Sequence, residues 1–171
     1  KQLAWMRRNK QIFGNKLEQR IIEVLPTVYE SALIDDCIGK GLCREEGGAH
    51  YNFNTGSVPI GPTDPGDSLT AIKKLIFDDK KITMAELCEA LDHNFKGYEE
   101  IRKMCLEAPK FGNDDDYADH HAVTVFEIFY DAVNGRPTSR GGRHRINLLP
   151  TTSHVYFGSV TGATPDGRNA H

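Results

Sequence analysis

The sequence predicts an α/β chain, on three observations. Apolar residues recur at helical spacing in several stretches between Leu17 and Val133. Two stretches, beginning at Tyr51 and at Ile146, are rich in β-branched and aromatic residues and read as strands. Segments dense in Gly and Pro separate these blocks.

Lys1 to Lys10 is basic, with Trp5 and Met6 as its apolar spots, and reads as a helix end. Leu17, Ile21, Ile22, Leu25, Val28, Tyr29, Ala32 and Leu33 then form the stripe of an amphipathic helix running towards Ile38. Pro26 lies inside it and predicts a kink or break, because it has no N–H to donate. Cys37 to Gly48 is a Gly-rich connection.

Tyr51 to Asn54 reads as a short strand, followed by a loop from Thr55 to Gly66 holding three prolines and three glycines. Asp67 or Ser68 opens the next helix, with Leu69, Ile72, Leu75 and Ile76 on one face. Thr83-Met84-Ala85-Glu86 has the pattern of a capping box and starts a helix to about Phe95, with Leu87, Ala90 and Leu91 inward. Tyr98 to Ala108 is a further helix, with Ile101, Met104, Cys105 and Ala108 inward. Cys88 and Cys105 are read as core thiols rather than ligands.

Pro109 ends that helix and Gly112 supplies a bend. Asn113, Asp114, Asp115 and Asp116 offer oxygens and negative charge to the start of the next helix, from about Asp115 to Val133. The joint is no EF-hand: the glycine and glutamate that such a loop needs are missing from their positions. Along the helix, Tyr117, His121, Val125 and Ile128 or Phe129 line up. His120 and His121 point in different directions on a helix, so a structural histidine is read at His121 rather than a metal pair. Asn134-Gly135 ends the helix and Pro137 seals the stop.

Arg136 to Arg145 carries four arginines among glycines. It reads as a solvated hairpin loop or subunit contact, the alternative being a grip on a phosphate or carboxylate. Ile146 to Gly158 is expected to be the second strand region, made irregular by Pro150. Pro165-Asp166-Gly167 is a turn.

The chain has 171 residues, a net charge of −3, 39% hydrophobic and 26% charged residues, which describes a soluble globular protein. That balance gives no electrostatic case for nucleic acid or an anionic membrane surface. No apolar run approaches the ~18 residues of a membrane span. Cys37, Cys43, Cys88 and Cys105 form no C-x-x-C pair, which weakens zinc and thioredoxin readings and favours free thiols in a reducing, cytoplasmic setting.

Several of these stretches carry a second message. Pro109-Lys110-Phe111-Gly112-Asn113-Asp114-Asp115-Asp116-Tyr117 resembles the P-K-[FY]-G-N-D-D-D-Y signature of glycyl radical enzymes, the pyruvate formate-lyase and glycerol/diol dehydratase superfamily. Gly47-Gly48-Ala49-His50-Tyr51-Asn52-Phe53, the segment from Asp67 to Lys74, and Gly162 to Arg168 resemble flanking motifs of that family in family order. Leu149-Pro150-Thr151-Thr152-Ser153-His154-Val155-Tyr156-Phe157-Gly158 is most similar to the branch of trans-4-hydroxyproline dehydratase-like enzymes. Gly56 to Pro62 departs from the Gly-rich stretch usual in the dehydratase branch, which leaves the substrate open.

The resemblance implies part of a ten-stranded barrel, two five-stranded half-barrels surrounded by helices. The chain is expected to be a single piece of the catalytic domain: N-terminal helices over 1–46, a strand, loop and helical layer over 47–135, and a strand and turn region over 136–171. It implies radical elimination by the whole enzyme, a dehydratase acting on hydroxyproline or a small diol. Formate acetyltransferase and arylacetate decarboxylase are the alternatives within the superfamily. A non-catalytic anion-binding module built on Arg136 to Arg145 is the alternative of another class. The glycyl radical would be installed by an activase using S-adenosylmethionine and a 4Fe-4S cluster, and the whole enzyme is expected to be a homodimer.

No R-V-x-G-Y-type radical glycine motif occurs in the sequence. Cys43-Arg44-Glu45 has the form of the family's catalytic C-x-E but directly precedes the G-G-A motif, which in the family comes well after the catalytic loop, so these residues are read as loop residues. No catalytic residue, metal ligand or directly bound cofactor is therefore expected here, and the isolated piece should be inert. A substrate contact is implied for Thr151, with Thr152 beside it; both hydroxyls could instead satisfy local backbone groups.

Overall fold

The computed structural model describes the backbone at 2–51, 54–57, 59, 61–138, 142–148 and 153–171, and the side chains there apart from those at 2–4, 7, 54–57, 153 and 154. The chain divides into two units, one formed by Lys1–Pro59 and Ile128–Leu148, the other by Ile60–Glu127 and Leu149–His171.

In the first unit, α1 (Gln2–Val24) and α2 (Val28–Ala32) are separated at Pro26, as the missing N–H of proline dictates. The apolar stripe is not buried within the unit: Leu17, Ile21, Leu25, Val28, Tyr29 and Leu33 are all exposed. The pattern therefore marks an apolar face that the unit does not cover by itself. A short helix, α3 (Cys37–Lys40), and a 3-10 turn (Arg44–Glu46) follow.

β1 (Asn54–Ser57) and β2 (His144–Ile146) pair in parallel, with Asn54 opposite His144 and Ser57 opposite Ile146. Parallel strands cannot be joined by a tight turn, and the connection here runs through four helices. Side chains alternate along β2. His144 is buried, Arg145 is exposed, and Ile146 packs against Phe129, Ala132 and Val133 at the end of the long helix α7 (Asp116–Val133). Gly135, at φ 75°, terminates α7 where the sequence places the stop.

In the second unit, α4 (Thr63–Ile72) begins four residues before Asp67, so the Thr55–Gly66 loop is shorter than expected. Pro65 lies in the first turn of α4, where its lost N–H has no intrahelical partner to miss. The helix passes into one π-helical stretch, Lys73–Asp78. α5 (Met84–Asp92) and α6 (Glu99–Glu107) follow. Ala71, Leu75, Ile82, Leu87, Cys105 and Ala108 form the core, with Ile72, Ile76, Leu91, Ile101 and Met104 against it. Cys88 is exposed, contrary to its reading as a core thiol. It follows Leu87 by one residue, which turns it away from the inward face of α5.

The second strand region needs the largest correction. Beyond Ile146 the described chain forms α8 (Ser153–Val160), a helix where Val155, Tyr156 and Phe157 had suggested a strand. Strand propensity is a weak guide when few residues carry it. The C-terminal end of α8 is held by the Arg168 guanidinium, which donates to the carbonyls of Gly158 (3.4 Å) and Gly162 (2.8 Å), a cation placed where the helix dipole favours one.

Candidate functional site

Thr151 and Thr152, the residues implied to meet substrate, lie outside the described residues. The described chain reaches Leu148 just before them and resumes with α8 just after.

The Cys43-Arg44-Glu45 triplet forms a polar weld. Glu45 is buried and accepts from the Thr27 hydroxyl. Arg44 donates to Glu45 Oε1 through Nε (2.8 Å) and Nη2 (2.5 Å), and to Glu30 Oε1 through Nη1 (2.5 Å). The Arg44 N–H donates to the Ser31 hydroxyl (2.9 Å), which itself donates to the Thr27 carbonyl (2.6 Å). Burial is the largest influence on the Glu45 carboxyl and raises its pKa, but the Thr27 hydroxyl and Arg44 together hold it below the usual range. The Cys43 N–H is taken by Glu46 at 2.7 Å. Arg44 and Glu45 thus tie the 3-10 turn to Thr27, Glu30 and Ser31 through side-chain and backbone bonds together. Thr27 and Ser31 were invisible as partners because no periodicity links residues this far apart in sequence.

The G-G-A motif after it has a steric origin. A Cβ on Gly48 would lie 2.1 Å from the Leu42 carbonyl oxygen, a distance no side chain tolerates. Lys40 Nζ donates to the Ala49 carbonyl (3.1 Å), and His50 Nδ1 pairs with Asp36 (2.9 Å), which lowers the pKa of that carboxyl.

The acidic joint is built as a helix start. Asp115 Oδ1 accepts the Tyr117 N–H at 2.9 Å, and Asn113 Nδ2 donates to the Lys110 carbonyl at 3.2 Å. Lys110 Nζ closes the end of α6 through the carbonyls of Cys105 (2.7 Å) and Ala108 (2.8 Å). Asp67, read from sequence as a helix opener, is instead a tether that accepts the Phe111 N–H at 2.8 Å. His121 Nδ1–H donates to the Tyr117 carbonyl at 2.7 Å, which gives it the structural role expected. Tyr117 donates to Asp78 at 2.6 Å; burial first, then the Asp78 carboxylate, pushes the phenol pKa up. No group of three His, Cys, Asp or Glu among the described residues could hold a metal ion.

The described ends of the arginine loop are fastened to the end of α7 and to each other. Arg136 Nε donates to the Ala132 carbonyl (2.6 Å) and Arg143 Nη1 to the Gly135 carbonyl (2.8 Å), while Pro137 and Arg143 form an antiparallel bridge. Arg140 lies outside the described residues, and Arg145 is exposed on β2. Two of the four guanidiniums are thus bonded to backbone carbonyls at the end of α7.

The model of the pyruvate formate lyase-like family matches residues 1–158. The chain belongs to that family. It is 47% identical over 171 residues to trans-4-hydroxy-L-proline dehydratase of Clostridioides difficile, covering 98% of this chain and 21% of that enzyme. The crystal structure of the C. difficile hydroxyproline dehydratase, solved with trans-4-hydroxy-L-proline bound, matches 99% of this chain and 22% of its own at a TM-score of 0.92 and 44% identity. A glycyl radical enzyme from Archaeoglobus fulgidus matches 99% of this chain and 22% of its own at a TM-score of 0.90 and 38% identity. The chain therefore spans about a fifth of the length of the relatives it matches. Its glycyl-radical-type neighbours confirm the family reading of the motifs, while the described residues are mainly helical, with one two-stranded sheet and no closed barrel among them. No helix among them is long and apolar enough to cross a membrane.

Proposed function

We propose that the full-length protein is a glycyl radical dehydratase acting on trans-4-hydroxy-L-proline or a compound of closely similar shape. The observation that carries this reading is the likeness to the C. difficile hydroxyproline dehydratase over nearly the whole chain. This segment is part of the catalytic barrel. The radical-bearing glycine and the thiyl-forming cysteine lie in other parts of the protein. A radical S-adenosylmethionine activase installs the glycyl radical, which supplies the means to abstract a hydrogen atom from substrate. The segment's own contribution is orientation and shielding: Thr151 and Thr152 hydrogen-bond the substrate, and the surrounding layers exclude water from a reactive intermediate. The enzyme works in the cytoplasm as a homodimer.

The test is to activate the full-length protein without oxygen and offer trans-4-hydroxy-L-proline, glycerol, propane-1,2-diol, pyruvate and an arylacetate. Dehydration of hydroxyproline is expected. Cleavage of pyruvate or decarboxylation of the arylacetate in its place would move the protein to another branch. Thr151→Ala is expected to raise KM for the favoured substrate at least several-fold, with Thr151→Ser closer to the parent enzyme. An unchanged KM in Thr151→Ala would remove Thr151 from the substrate site.

A further inference from the structure

The helix α1 meets its own unit with a mainly polar face. Gln11 Nε2 donates to the Val133 carbonyl at 3.3 Å, at the last residue of α7, and Asn15 Nδ2 donates to the Pro137 carbonyl at 3.3 Å, just beyond it. Gln11, Asn15, Glu18 and Ile22 are half-buried and recur at i, i+4, i+7 and i+11, so they share one side of the helix.

The opposite side is apolar. Met6, Phe13, Leu17 and Val24 follow one another at intervals of seven, four and seven residues. At about 3.6 residues per turn they fall nearly in line, about half a turn round from the Gln11–Ile22 face. Their exposures are 64%, 67%, 50% and 71%. A helix on a self-sufficient domain shows the reverse arrangement, with its apolar stripe inward. The amides of Gln11 and Asn15 fix the rotation of α1, so the stripe cannot turn in without breaking both bonds.

A row of large exposed apolar side chains is a surface to be covered, and its spacing and charge say by what. Alternating intervals of four and seven keep a seam on one side of a helix, as in helix-on-helix packing. Lys10 and Arg20 lie on that same side, before and after the Phe13–Leu17 centre. Arg20 pairs with Glu23, whereas no ion pair among the described residues includes Lys10. A second copy of α1 on the seam would set Lys10 against Lys10 in a parallel pairing and against Arg20 in an antiparallel one. Like charges oppose both. The remaining candidate is further chain: these residues match only 21% of the C. difficile enzyme's length.

We propose that the Met6–Phe13–Leu17–Val24 face of α1 is a docking seam for another segment of the same polypeptide, one that presents apolar side chains to the stripe and a carboxylate to Lys10. The proposal rests on the reading that the full-length protein has the extent of its relatives, and not on which substrate it takes.

Site-directed photo-crosslinking in the full-length protein tests it. A p-benzoylphenylalanine in place of Leu17 is expected to give a cross-linked product of single-chain mass, joined to a peptide outside residues 1–171. The same group in place of Gln19, exposed on another side of α1, should not reach that peptide. A product of two-chain mass would assign the seam to a second copy and overturn the proposal. So would a link to a peptide within 1–171, or no cross-link at Leu17. Hydrogen exchange reads the charge separately: Lys10→Glu should speed exchange of the α1 amides severalfold, with Lys10→Arg near the parent. Equal exchange in Lys10→Glu and the parent would overturn the carboxylate partner. None of these readouts uses turnover, so failure of the hydroxyproline reading would leave them intact.

Discussion

Gly66 of α4 lies against the backbone of Ala122 on α7: a Cβ added to Gly66 would sit 2.9 Å from Ala122 Cα and 3.2 Å from its Cβ. Two effects of Gly66→Ala oppose each other. Alanine gains up to about 1 kcal/mol of helix propensity over glycine. Overpacking against a backbone that cannot swing aside costs about 1–3 kcal/mol. The steric cost should win, for a net loss of about 1–2 kcal/mol. Hydrogen exchange in α4 and the facing turns of α7 should speed up about tenfold in the full-length protein. Slower exchange would mean that the two helices separate at little cost.

The Glu45 weld predicts a pH response. Thr27 and Arg44 hold the folded carboxyl below its usual value against the opposing effect of burial. Its contribution is therefore complete above the unfolded pKa of about 4.3 and is lost as pH falls through the lower folded value. Protection of the amides over 27–31 and 43–48 should fall in that acid window in the parent protein. Glu45→Gln should remove most of this dependence. Glu45→Ala, which strands the Thr27 hydroxyl and half of the Arg44 fork, should cost about 2 kcal/mol at neutral pH. A parent protein whose protection in these segments is flat through the acid window would show that the carboxylate contributes little.

Much of the fold was legible because local chemistry and tertiary packing agree. Thr83 and Glu86 announced α5, and Asn134-Gly135 announced the end of α7. Ile101, Met104 and Cys105 are inward on α6 because their spacing matches the helical period. Legibility failed where local preference was weak or the partner lay far along the chain. Val155, Tyr156 and Phe157 favour a strand in isolation, but α8 is fixed at its end by Arg168, a contact with no local signal. The stripe from Leu17 to Leu33 has the correct period, yet a period states that a face is apolar and not what covers it. For the substrate contacts proposed at Thr151 and Thr152 the sequence offered family likeness alone: two adjacent threonines carry no intrinsic sign of binding or of backbone capping.

The N-terminus of α5 offers a local test. Thr83 Oγ1 accepts the Glu86 N–H at 3.2 Å, and Glu86 returns to the Thr83 N–H at 2.7 Å. The reciprocal bonds keep the Glu86 carboxyl below its ordinary range, the Thr83 backbone N–H being the larger cause. Thr83→Ala should cost about 1 kcal/mol and speed exchange in the first turn of α5 severalfold, with Thr83→Ser near the parent. Because the carboxyl is shifted downward, the cap should weaken as pH falls below the usual glutamate range. Equal protection in Thr83→Ala and Thr83→Ser would show that the hydroxyl does not cap the helix.

Cys105 makes the last prediction, one of chemical inertness. It is fully buried in the core of the second unit, and burial pushes its thiol up to about 11, with Lys110 opposing and Asp166 adding to the effect. The reactive species of a cysteine is the thiolate, so at pH 8 only about one molecule in a thousand is primed to react. Enclosure by Ala71, Leu75 and Leu87 denies a reagent access even to that fraction. Alkylation followed by peptide mass spectrometry should leave Cys105 unmodified in the folded full-length protein and label it once denaturant is added. Labelling at equal rates in both states would mean that this core opens readily, and would contradict the packing described for α4, α5 and α6.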